Sequence, residues 1–332
     1  PRSLIAVRLL TRRKETIDAS FFRDRIGDAL RYRQSFLEDQ RSFRVLFSEG
    51  DYLPGLIVDK FDDMLVVQFL TLGIERLGET IAGVLDDMFR PRCMVLRNTS
   101  KSRTLEGLPL ETKVLAGNPE PLPRVNEGSL TIEVDPLLGQ KTGFFLDQRE
   151  NRIALSRYVR GGKGLDLFCY SGAWALHLAQ RGVVMTGIDE SEGALSQAQR
   201  NARLNGLDSR IAFRKDDVFH YLGEAKGDEY DVVVLDPPAF AKSAANLREA
   251  LRGYLDINSR ALKIVRPGGF LATSSCSHHV DRAVFLDMLH RASRLAGKRV
   301  RLLEYRYQSR DHPVLLSVPE TAYLKCAFLE VQ

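Results

Sequence analysis

The chain has 332 residues, a hydrophobic fraction of 44%, a charged fraction of 27% and a formal net charge of +5, which is typical of a soluble globular protein with room for two domains. No apolar run approaches the roughly 18 residues of a membrane span, and Cys93, Cys169, Cys276 and Cys326 form no CxxC pair. The sequence therefore disfavours a membrane protein, a zinc site and a disulfide framework. We expect a cytoplasmic protein, and the basic excess permits an acidic partner such as nucleic acid.

The first part of the chain predicts a smaller α+β domain over residues 16–125. Its predicted elements, in chain order, are a helix over 19–40, strands within 43–71, a helix over 74–89 and a strand over 93–98. The Pro/Gly-rich segment 118–128 then indicates a domain boundary. The basic side chains Arg12, Arg13 and Lys14 could contact phosphates or form a solvated face.

The second part, residues 126–332, alternates short apolar runs with helical patterns. The runs that predict strands cover residues 164–170, 183–189, 211–217, 230–236 and 268–276. Helical patterns between them indicate a doubly wound α/β sheet. The last two predicted strands, 299–307 and 322–331, are joined by a loop too short for a crossover helix, so they should be antiparallel. A seven-stranded, mostly parallel Rossmann-like sheet that closes on such a hairpin is the class I methyltransferase fold.

The segment DLFCYSGAW, residues 166–174, forms the first predicted strand-to-helix turn. Ligands of open α/β sheets bind at the carboxyl ends of the strands, so Asp166, Phe168 and Gly172 are candidates for cofactor contacts. Gly172 stands alone where a dinucleotide site would have G-x-G-x-x-G. An acidic residue with a single glycine suits a positively charged cofactor, and we therefore predict S-adenosylmethionine rather than NAD.

Acidic residues also end the next two predicted strands. Asp189 stands where a carboxylate can accept both ribose hydroxyls of the cofactor. Asp217, or its neighbour Asp216, stands where it can accept the adenine amino group. Each carboxylate alone could instead cap a helix or lie in solvent, but three at successive strand ends favour a common ligand.

The segment LDPPAF, residues 235–240, follows the fourth predicted strand. Pro237 and Pro238 stiffen the turn and expose acceptors at the sheet edge, where Asp236 could bind a planar base. Phe240 could stack on that base. The alternative is a stiff turn that only begins the next helix.

The segment TSSCSHHV, residues 273–280, places Cys276 at the end of the fifth predicted strand. A free cysteine is most often a small buried hydrophobe, so packing is the alternative to a nucleophile. The strand order places Cys276 beside Asp236, so that both side chains can converge on one base. His278 and His279 could be solvated loop residues.

Several long segments carry a family resemblance: EGDYLPGLIVDKF, GQKTGFFLDQRENR, DLFCYSGAW, RKDDVF, LDPPAFAKS, RGYLDINSRAL, SSCS and DHPVLLSVPETAYLK. With these segments the chain resembles the RlmI-type ribosomal RNA (cytosine-5-)-methyltransferases over almost its whole length. Such proteins usually begin with a PUA domain, and the resemblance implies that residues 1–15 are the remnant of one. It also implies an RNA-binding contribution from 16–125.

The resemblance implies roles for residues that composition leaves unassigned. It places the segment 139–151 over the cofactor, which makes site candidates of Lys141, Thr142, Phe144, Asp147 and Gln148. It also implies that Asp189 binds the ribose, that Asp217 binds the adenine and that Asp236 binds the target base.

The resemblance implies that the substrate is the 23S ribosomal RNA of the large subunit, methylated before or during subunit assembly. It leaves a homodimer open and implies no membrane partner. Carbon 5 of cytosine becomes nucleophilic once a thiolate adds to carbon 6, which is the role implied for Cys276. Many RNA cytosine-5 methyltransferases carry a second cysteine directly after the Asp-Pro motif, and here that residue is the second proline of DPPA. The group that removes the carbon-5 proton is therefore not identified. Methylation of an exocyclic amine, and a non-catalytic RNA-binding protein, remain alternative functions.

Overall fold

The computed structural model describes residues 3–37, 41–240 and 246–332, and these form two compact units. The first unit contains residues 1–126, 133–147 and 309–322, and the second contains residues 127–132, 148–308 and 323–332. The predicted domains, 16–125 and 126–332, are continuous segments. Both units are discontinuous, because two later stretches of the chain return to the first unit.

The first unit is a five-stranded mixed sheet, in the order β1-β2-β3-β4-β5, with helices packed against its core. Its strands are β1 (Ser42–Phe47), β2 (Leu56–Phe61), β3 (Met64–Phe69), β4 (Cys93–Asn98) and β5 (Glu111–Gly117). Its helices are α1 (Ala19–Gln34), α2 (Leu72–Arg76) and α3 (Gly78–Phe89). Phe22, Ile26 and Val58 are fully buried in its core.

Two helix predictions in this unit need correction. Within the described residues, the helix predicted over 19–40 ends at Gln34, where the hydroxyl of Ser35 donates to the Tyr32 carbonyl at 2.6 Å and satisfies a carbonyl of the last turn; residues 38–40 of that prediction lie outside the described part. The single helix predicted over 74–89 is two helices, α2 and α3, that meet at Leu77.

The second unit contains a seven-stranded sheet in the order β10-β9-β8-β11-β12-β14-β13. Its strands are β8 (Lys163–Leu167), β9 (Val184–Asp189), β10 (Ile211–Lys215), β11 (Tyr230–Leu235), β12 (Val265–Ser275), β13 (Val300–Arg306) and β14 (Lys325–Val331). The first five strands in that order are parallel, and β14 pairs antiparallel with both β12 and β13. This confirms the predicted class I methyltransferase fold with its antiparallel hairpin.

Helices flank this sheet because its central strands are apolar on both faces. Val232 and Val233, neighbours in β11, have opposite side-chain directions, and both are fully buried. The helices are α4 (Arg149–Leu155), α5 (Ala173–Ala179), α6 (Glu192–Leu204), α7 (Val218–Glu224), α8 (Leu247–Ile264) and α9 (Arg282–Ala296). A separate two-stranded sheet is formed by β6 (Arg124–Glu127) and β7 (Leu130–Glu133). Among the described residues, no helix is both long and apolar enough to cross a bilayer.

Candidate active site

The carboxyl ends of four parallel strands, β8, β9, β11 and β12, lie at one edge of the second unit's sheet. In the strand register, Leu235 pairs with both Leu167 and Thr273, and Leu167 pairs with Ile188. The residues that follow these positions therefore meet at the same edge. This is where open α/β sheets bind their ligands.

The turn between β8 and α5 has an unusual backbone. Phe168, Tyr170 and Gly172 all have positive φ angles, of 62°, 48° and 79°. A Cβ on Gly172 would lie 3.0 Å from the Phe213 ring and 3.1 Å from Ala198 Cβ, so only glycine fits there without displacement. The turn thus directs the chain sharply from the strand end into α5.

Asp166 is fully buried beneath this turn. One carboxylate oxygen, Oδ2, accepts a 3.0 Å hydrogen bond from the Ala175 amide, and the other has no hydrogen-bond partner among the described residues. Burial raises the pKa of Asp166 well above its ordinary value, and the nearby carboxylates of Asp236 and Asp189 raise it further. A cationic ligand at this edge would relieve both effects. The site therefore fits the sulfonium and ammonium groups of S-adenosylmethionine.

Asp189 and Asp217 lie at the next strand ends. Asp189 accepts backbone hydrogen bonds from Tyr170 and Ser191, both at 2.9 Å, and each of its oxygens keeps a second lone pair for a ribose hydroxyl. Asp217 is the N-cap of α7 and accepts from the His220 amide at 2.7 Å. A hydrogen bond and repulsion from Asp217 raise the pKa of the exposed carboxyl Glu190, so these acids form a cluster that sequence reasoning did not include.

Asp216, the alternative to Asp217, has a different environment. Its carboxylate forms an ion pair with Arg214 at 2.5 Å and a hydrogen bond with His220 Nδ1 at 3.0 Å. These partners lower the pKa of Asp216 against the opposing effect of burial. Asp217 is exposed, which makes it the better candidate for the adenine contact.

The side chains of Gln148 and Trp174 both donate to Asp236. Gln148 Nε2 donates to Asp236 Oδ1 at 3.0 Å, and the indole Nε1 of Trp174 donates to Oδ2 at 3.2 Å. The same Gln148 amide donates to Ser274 Oγ at 3.1 Å, and its carbonyl oxygen accepts from Asn151 at 2.7 Å. The carboxylate therefore has a defined orientation at the edge between β11 and β12.

Phe240 and Tyr254 connect the loop after β11 to the loop after β12. The two rings lie 4.6 Å apart between centroids, and the Tyr254 hydroxyl is 3.0 Å from Ser277 Oγ. Pro237 is buried and Pro238 is exposed, so the turn presents one of its two prolines to solvent. The last residues of the LDPPAFAKS segment, 241–243, lie outside the described residues.

Cys276 directly follows the last residue of β12 and is partly exposed. The other three cysteines are buried, and burial raises the pKa of each thiol, to about 12 for Cys326. A high pKa leaves those sulfurs protonated at neutral pH. Cys276 is therefore the cysteine whose position allows it to meet a substrate.

Comparison with known proteins decides the family. The family model for S-adenosylmethionine-dependent methyltransferases matches residues 94–326. Proteins named ribosomal RNA large subunit methyltransferase I, from Shewanella amazonensis and Aeromonas hydrophila, are 38% and 39% identical to this chain, over 97% and 94% of it and over 84% and 81% of their own lengths. The chain belongs to this methyltransferase family.

Solved structures share the fold of this methyltransferase. A protein from Streptococcus mutans, described as an S-adenosylmethionine-dependent methyltransferase, superposes with a TM-score of 0.83 at 19% identity. A second, the methyltransferase SMU.776 solved in complex with SAH, has a TM-score of 0.84 at 19% identity. Each comparison covers 97% of this chain and 84% of the other. The predicted cofactor, S-adenosylmethionine, is confirmed by the family.

Four of the residues predicted to contact the cofactor belong to the first unit of the methyltransferase. Thr142 is fully buried, and its hydroxyl donates to Asp59 at 2.6 Å. Phe144 is buried, and Lys141 Nζ lies 3.3 Å from the buried Asp147. Their roles toward the cofactor stay predictions, whereas Gln148 belongs to the second unit and contacts Asp236 there.

Sequence reasoning also did not single out two aromatic residues that contact candidate site residues. Trp174 lies inside the DLFCYSGAW segment and is the chain's only tryptophan, which is a signal in itself. Tyr254 lies in the RGYLDINSRAL segment, and its contacts depend on the packing of α8. In the described part of the chain, no group of three or more His, Cys, Asp or Glu side chains is placed to hold a metal ion.

Proposed function

We propose that this methyltransferase forms 5-methylcytosine in large-subunit ribosomal RNA, with Cys276 as the nucleophile. One observation carries the proposal: Cys276 follows β12, and Asp236 follows the neighbouring β11 and is tied to Ser274 of β12 through Gln148. A thiol and an oriented carboxyl group at adjacent strand ends suit covalent attack on a pyrimidine held by its ring nitrogen.

The proposed chemistry requires Cys276 as a thiolate. A bond forms between Cys276 Sγ and carbon 6 of cytosine, which makes carbon 5 nucleophilic, and carbon 5 then takes the methyl group. A base removes the carbon-5 proton, and the electron pair of that C–H bond expels the cysteine as the Sγ–carbon 6 bond breaks. Asp236, oriented by Gln148 and Trp174, would enter the reaction as the carboxylic acid, donate its proton to N3 as the Sγ–carbon 6 bond forms, and take that proton back as the cysteine leaves. The target base must leave its stack to reach this edge, where Phe240 offers a ring surface.

The cofactor-binding residues follow from the strand ends. Asp189 would accept the ribose hydroxyls, Asp217 would accept the adenine amino group, and Asp166 would offset the positive charge. S-adenosylmethionine, when bound, supplies an electrophilic methyl group. Gly172 allows the close turn beside it, because any larger residue would meet the Phe213 ring.

The RNA substrate is proposed from the relatives' names and from charge. Relatives that are 38% and 39% identical are named for large-subunit ribosomal RNA. The net charge of +5 suits a polyanionic partner. The same proposal includes a cytoplasmic location and action before or during subunit assembly. It also includes an RNA-binding contribution from residues 16–125 and self-association.

Covalent trapping tests the proposed function. We expect the enzyme, incubated with S-adenosylmethionine and ribosomal RNA containing 5-fluorocytidine, to form an RNA adduct that survives denaturation, because fluorine cannot leave as the proton does. Cys276→Ala should abolish the adduct and methyl transfer, whereas the matched control Cys93→Ala, in the first unit's core, should retain both.

Two results would contradict the proposal. Transfer of the methyl group to an exocyclic amine, with no adduct, would establish the base-amine alternative. Calorimetry that detects no binding of S-adenosylmethionine would favour the non-catalytic RNA-binding alternative.

A further inference from the structure

Lys325 is a buried lysine beside the loop that carries Cys276. It begins β14, and in the antiparallel register it pairs with Ser275, the residue immediately before Cys276. Only 4% of its surface is exposed. Lysine is almost never this deeply buried without a compensating contact.

The contacts of Lys325 are made to the backbone of this loop. Nζ donates to the Ser277 carbonyl at 2.6 Å and to the Tyr323 carbonyl at 2.7 Å. Among the described residues, no carboxylate forms an ion pair with it. Two carbonyl dipoles only partly offset the desolvation of an ammonium group, so a nearby anion would complete its environment.

Cys276 is such an anion when it is deprotonated. Burial lowers the pKa of Lys325 to about 8, and the charges of Cys276 and Asp281 act in the opposite direction and raise it. At pH 7 most Lys325 side chains thus remain protonated. The coupling between the two groups is reciprocal, so the ammonium must favour the thiolate form of Cys276 by the same free energy.

Other titratable groups also face this loop. Tyr254 reaches it from α8, where burial raises the pKa of the phenol and keeps it neutral. Asp281 lies at the start of α9 and accepts from the Val284 amide at 2.8 Å, and the His278 ring lies 5.9 Å from that of Tyr323. Among these groups, Lys325 is the buried cation.

We propose that Lys325 is a positioning residue that holds Cys276 as a thiolate and fixes the loop that presents it to the base. The inference rests on the proposed function of Cys276 as a nucleophile. The proton of the Cys276 thiol leaves to solvent before the base binds, and Lys325 keeps its own proton throughout. A purely structural lysine would anchor the same carbonyls without changing the acidity of the thiol.

The acidity of Cys276 can be measured without RNA. The rate of alkylation by iodoacetamide, followed by mass spectrometry of the Cys276 peptide from pH 5.5 to 10, reports the thiolate fraction. We expect the wild-type midpoint to lie below the value of about 8.5 for an unperturbed thiol. Lys325→Met, which keeps the chain length and removes the charge, should raise the midpoint by about one pH unit, a tenfold loss of thiolate at pH 7.

Two further variants separate charge from packing. Lys325→Arg retains the charge and should restore most of the shift, and Lys215→Met, at an exposed lysine of the same unit, should leave the midpoint unchanged. The rate of methyl transfer at pH 7 and saturating RNA should be lowered in Lys325→Met, largely restored in Lys325→Arg and unchanged in Lys215→Met. In Lys325→Met the acidic limb of the kcat profile should move to higher pH, while the affinity for S-adenosylmethionine is retained.

A wild-type midpoint at or above about 8.5 would overturn the inference, even if Lys325→Met fails to fold. An unchanged midpoint in a folded Lys325→Met would do the same. The enzyme could also show a low alkylation midpoint that depends on Lys325 but form no adduct with RNA containing 5-fluorocytidine. That result would contradict the proposed function and still establish the effect of Lys325 on the thiol.

Discussion

At the scale of single residues, the orientation of Asp236 depends on donors far from it in sequence. Gln148 and Trp174 each hold one carboxylate oxygen, and both are buried. Neutral N–H donors fix the direction of a carboxyl group through hydrogen bonds of defined geometry. This arrangement makes Trp174 a sensitive position for activity.

Trp174→Phe should lower kcat about tenfold, because it keeps an aromatic ring and removes the hydrogen bond to a carboxylate. We expect binding of S-adenosylmethionine to change much less, since the indole contacts Asp236, the carboxyl group proposed to bind the base. Single-turnover methylation and isothermal calorimetry measure the two effects. A variant that loses cofactor affinity and keeps kcat would show that Trp174 serves the cofactor site instead.

Without a bound cation, the buried carboxyl group of Asp166 lowers the stability of the fold at neutral pH. Because burial raises its pKa above the unfolded value, the group adds stability that is fully present below pH 4 and is lost as the pH rises through its folded pKa. Asp166→Asn should therefore raise the melting temperature of the ligand-free enzyme at pH 7 by a few degrees. It should also reduce the change in stability between pH 4 and pH 7.

The same variant should bind S-adenosylmethionine about tenfold more weakly, because it lacks the negative charge opposite the cation. Thermal unfolding across this pH range and calorimetry at pH 7 test both effects. Unchanged cofactor affinity in Asp166→Asn would remove Asp166 from the proposed cofactor site.

At the scale of elements, a buried network ties Glu127, at the end of β6, to two helices of the second unit. Glu127 accepts from Arg152 of α4 at 2.5 and 2.9 Å, and its Oε2 lies 2.9 Å from His177 Nε2 of α5. Burial alone would raise the pKa of Glu127, but the Arg152 charge and the His177 hydrogen bond lower it below its ordinary value. A depressed pKa means that this network stabilises the fold above about pH 4.5 and that the contribution is lost as the pH falls below that value.

Glu127→Gln should lower the free energy of unfolding by about 3 kcal/mol at pH 7, because it leaves the buried Arg152 guanidinium beside a neutral amide. Urea denaturation at pH 7 and pH 4 measures this loss. The difference in the free energy of unfolding between the variant and wild type should be smaller at pH 4. The double variant Glu127→Gln, Arg152→Met removes Arg152 as well, keeps Arg149 in the same position as in the single variant, 3.5 Å from residue 127, and should be less destabilised. Equal losses for the single and double variants would exclude a buried-charge effect.

At the scale of the whole molecule, the two units each have a hydrophobic core, and 48 basic against 43 acidic side chains give the chain its positive charge. An excess of this size acts on association with a polyanion and not on the choice of fold.

RNA binding should weaken as salt rises from 50 to 200 mM KCl, with a slope of about −0.7 in log K against log salt for each single-stranded phosphate contacted. The affinity for S-adenosylmethionine should change little over this range, because that ligand releases few counterions. Filter binding with a fragment of large-subunit ribosomal RNA and calorimetry with the cofactor measure both. An RNA affinity independent of salt would contradict phosphate contacts.

The sequence by itself determined the features that depend on local pattern. Apolar runs predicted the five parallel strands, because burial on both faces of a sheet demands uninterrupted apolar residues. The observed strands begin and end within a few residues of the predicted bounds. The acids at the strand ends and Cys276 after β12 were also predictable, since parallel strands place their carboxyl ends at one edge. Helix ends were predicted less well, as α1 shows, because a single capping hydroxyl can end a helix.

Only the tertiary structure decided which distant side chains meet. The antiparallel register of β14 on β12 places Lys325 opposite Ser275, the residue before Cys276, and the packing of α4 and α5 aims Gln148 and Trp174 at Asp236. No period or motif encodes such contacts, because they depend on strand order and register among segments that are remote in the chain. A lysine within the apolar run LKCAFLEV was visible in the sequence, but its burial beside a thiol required the folded sheet.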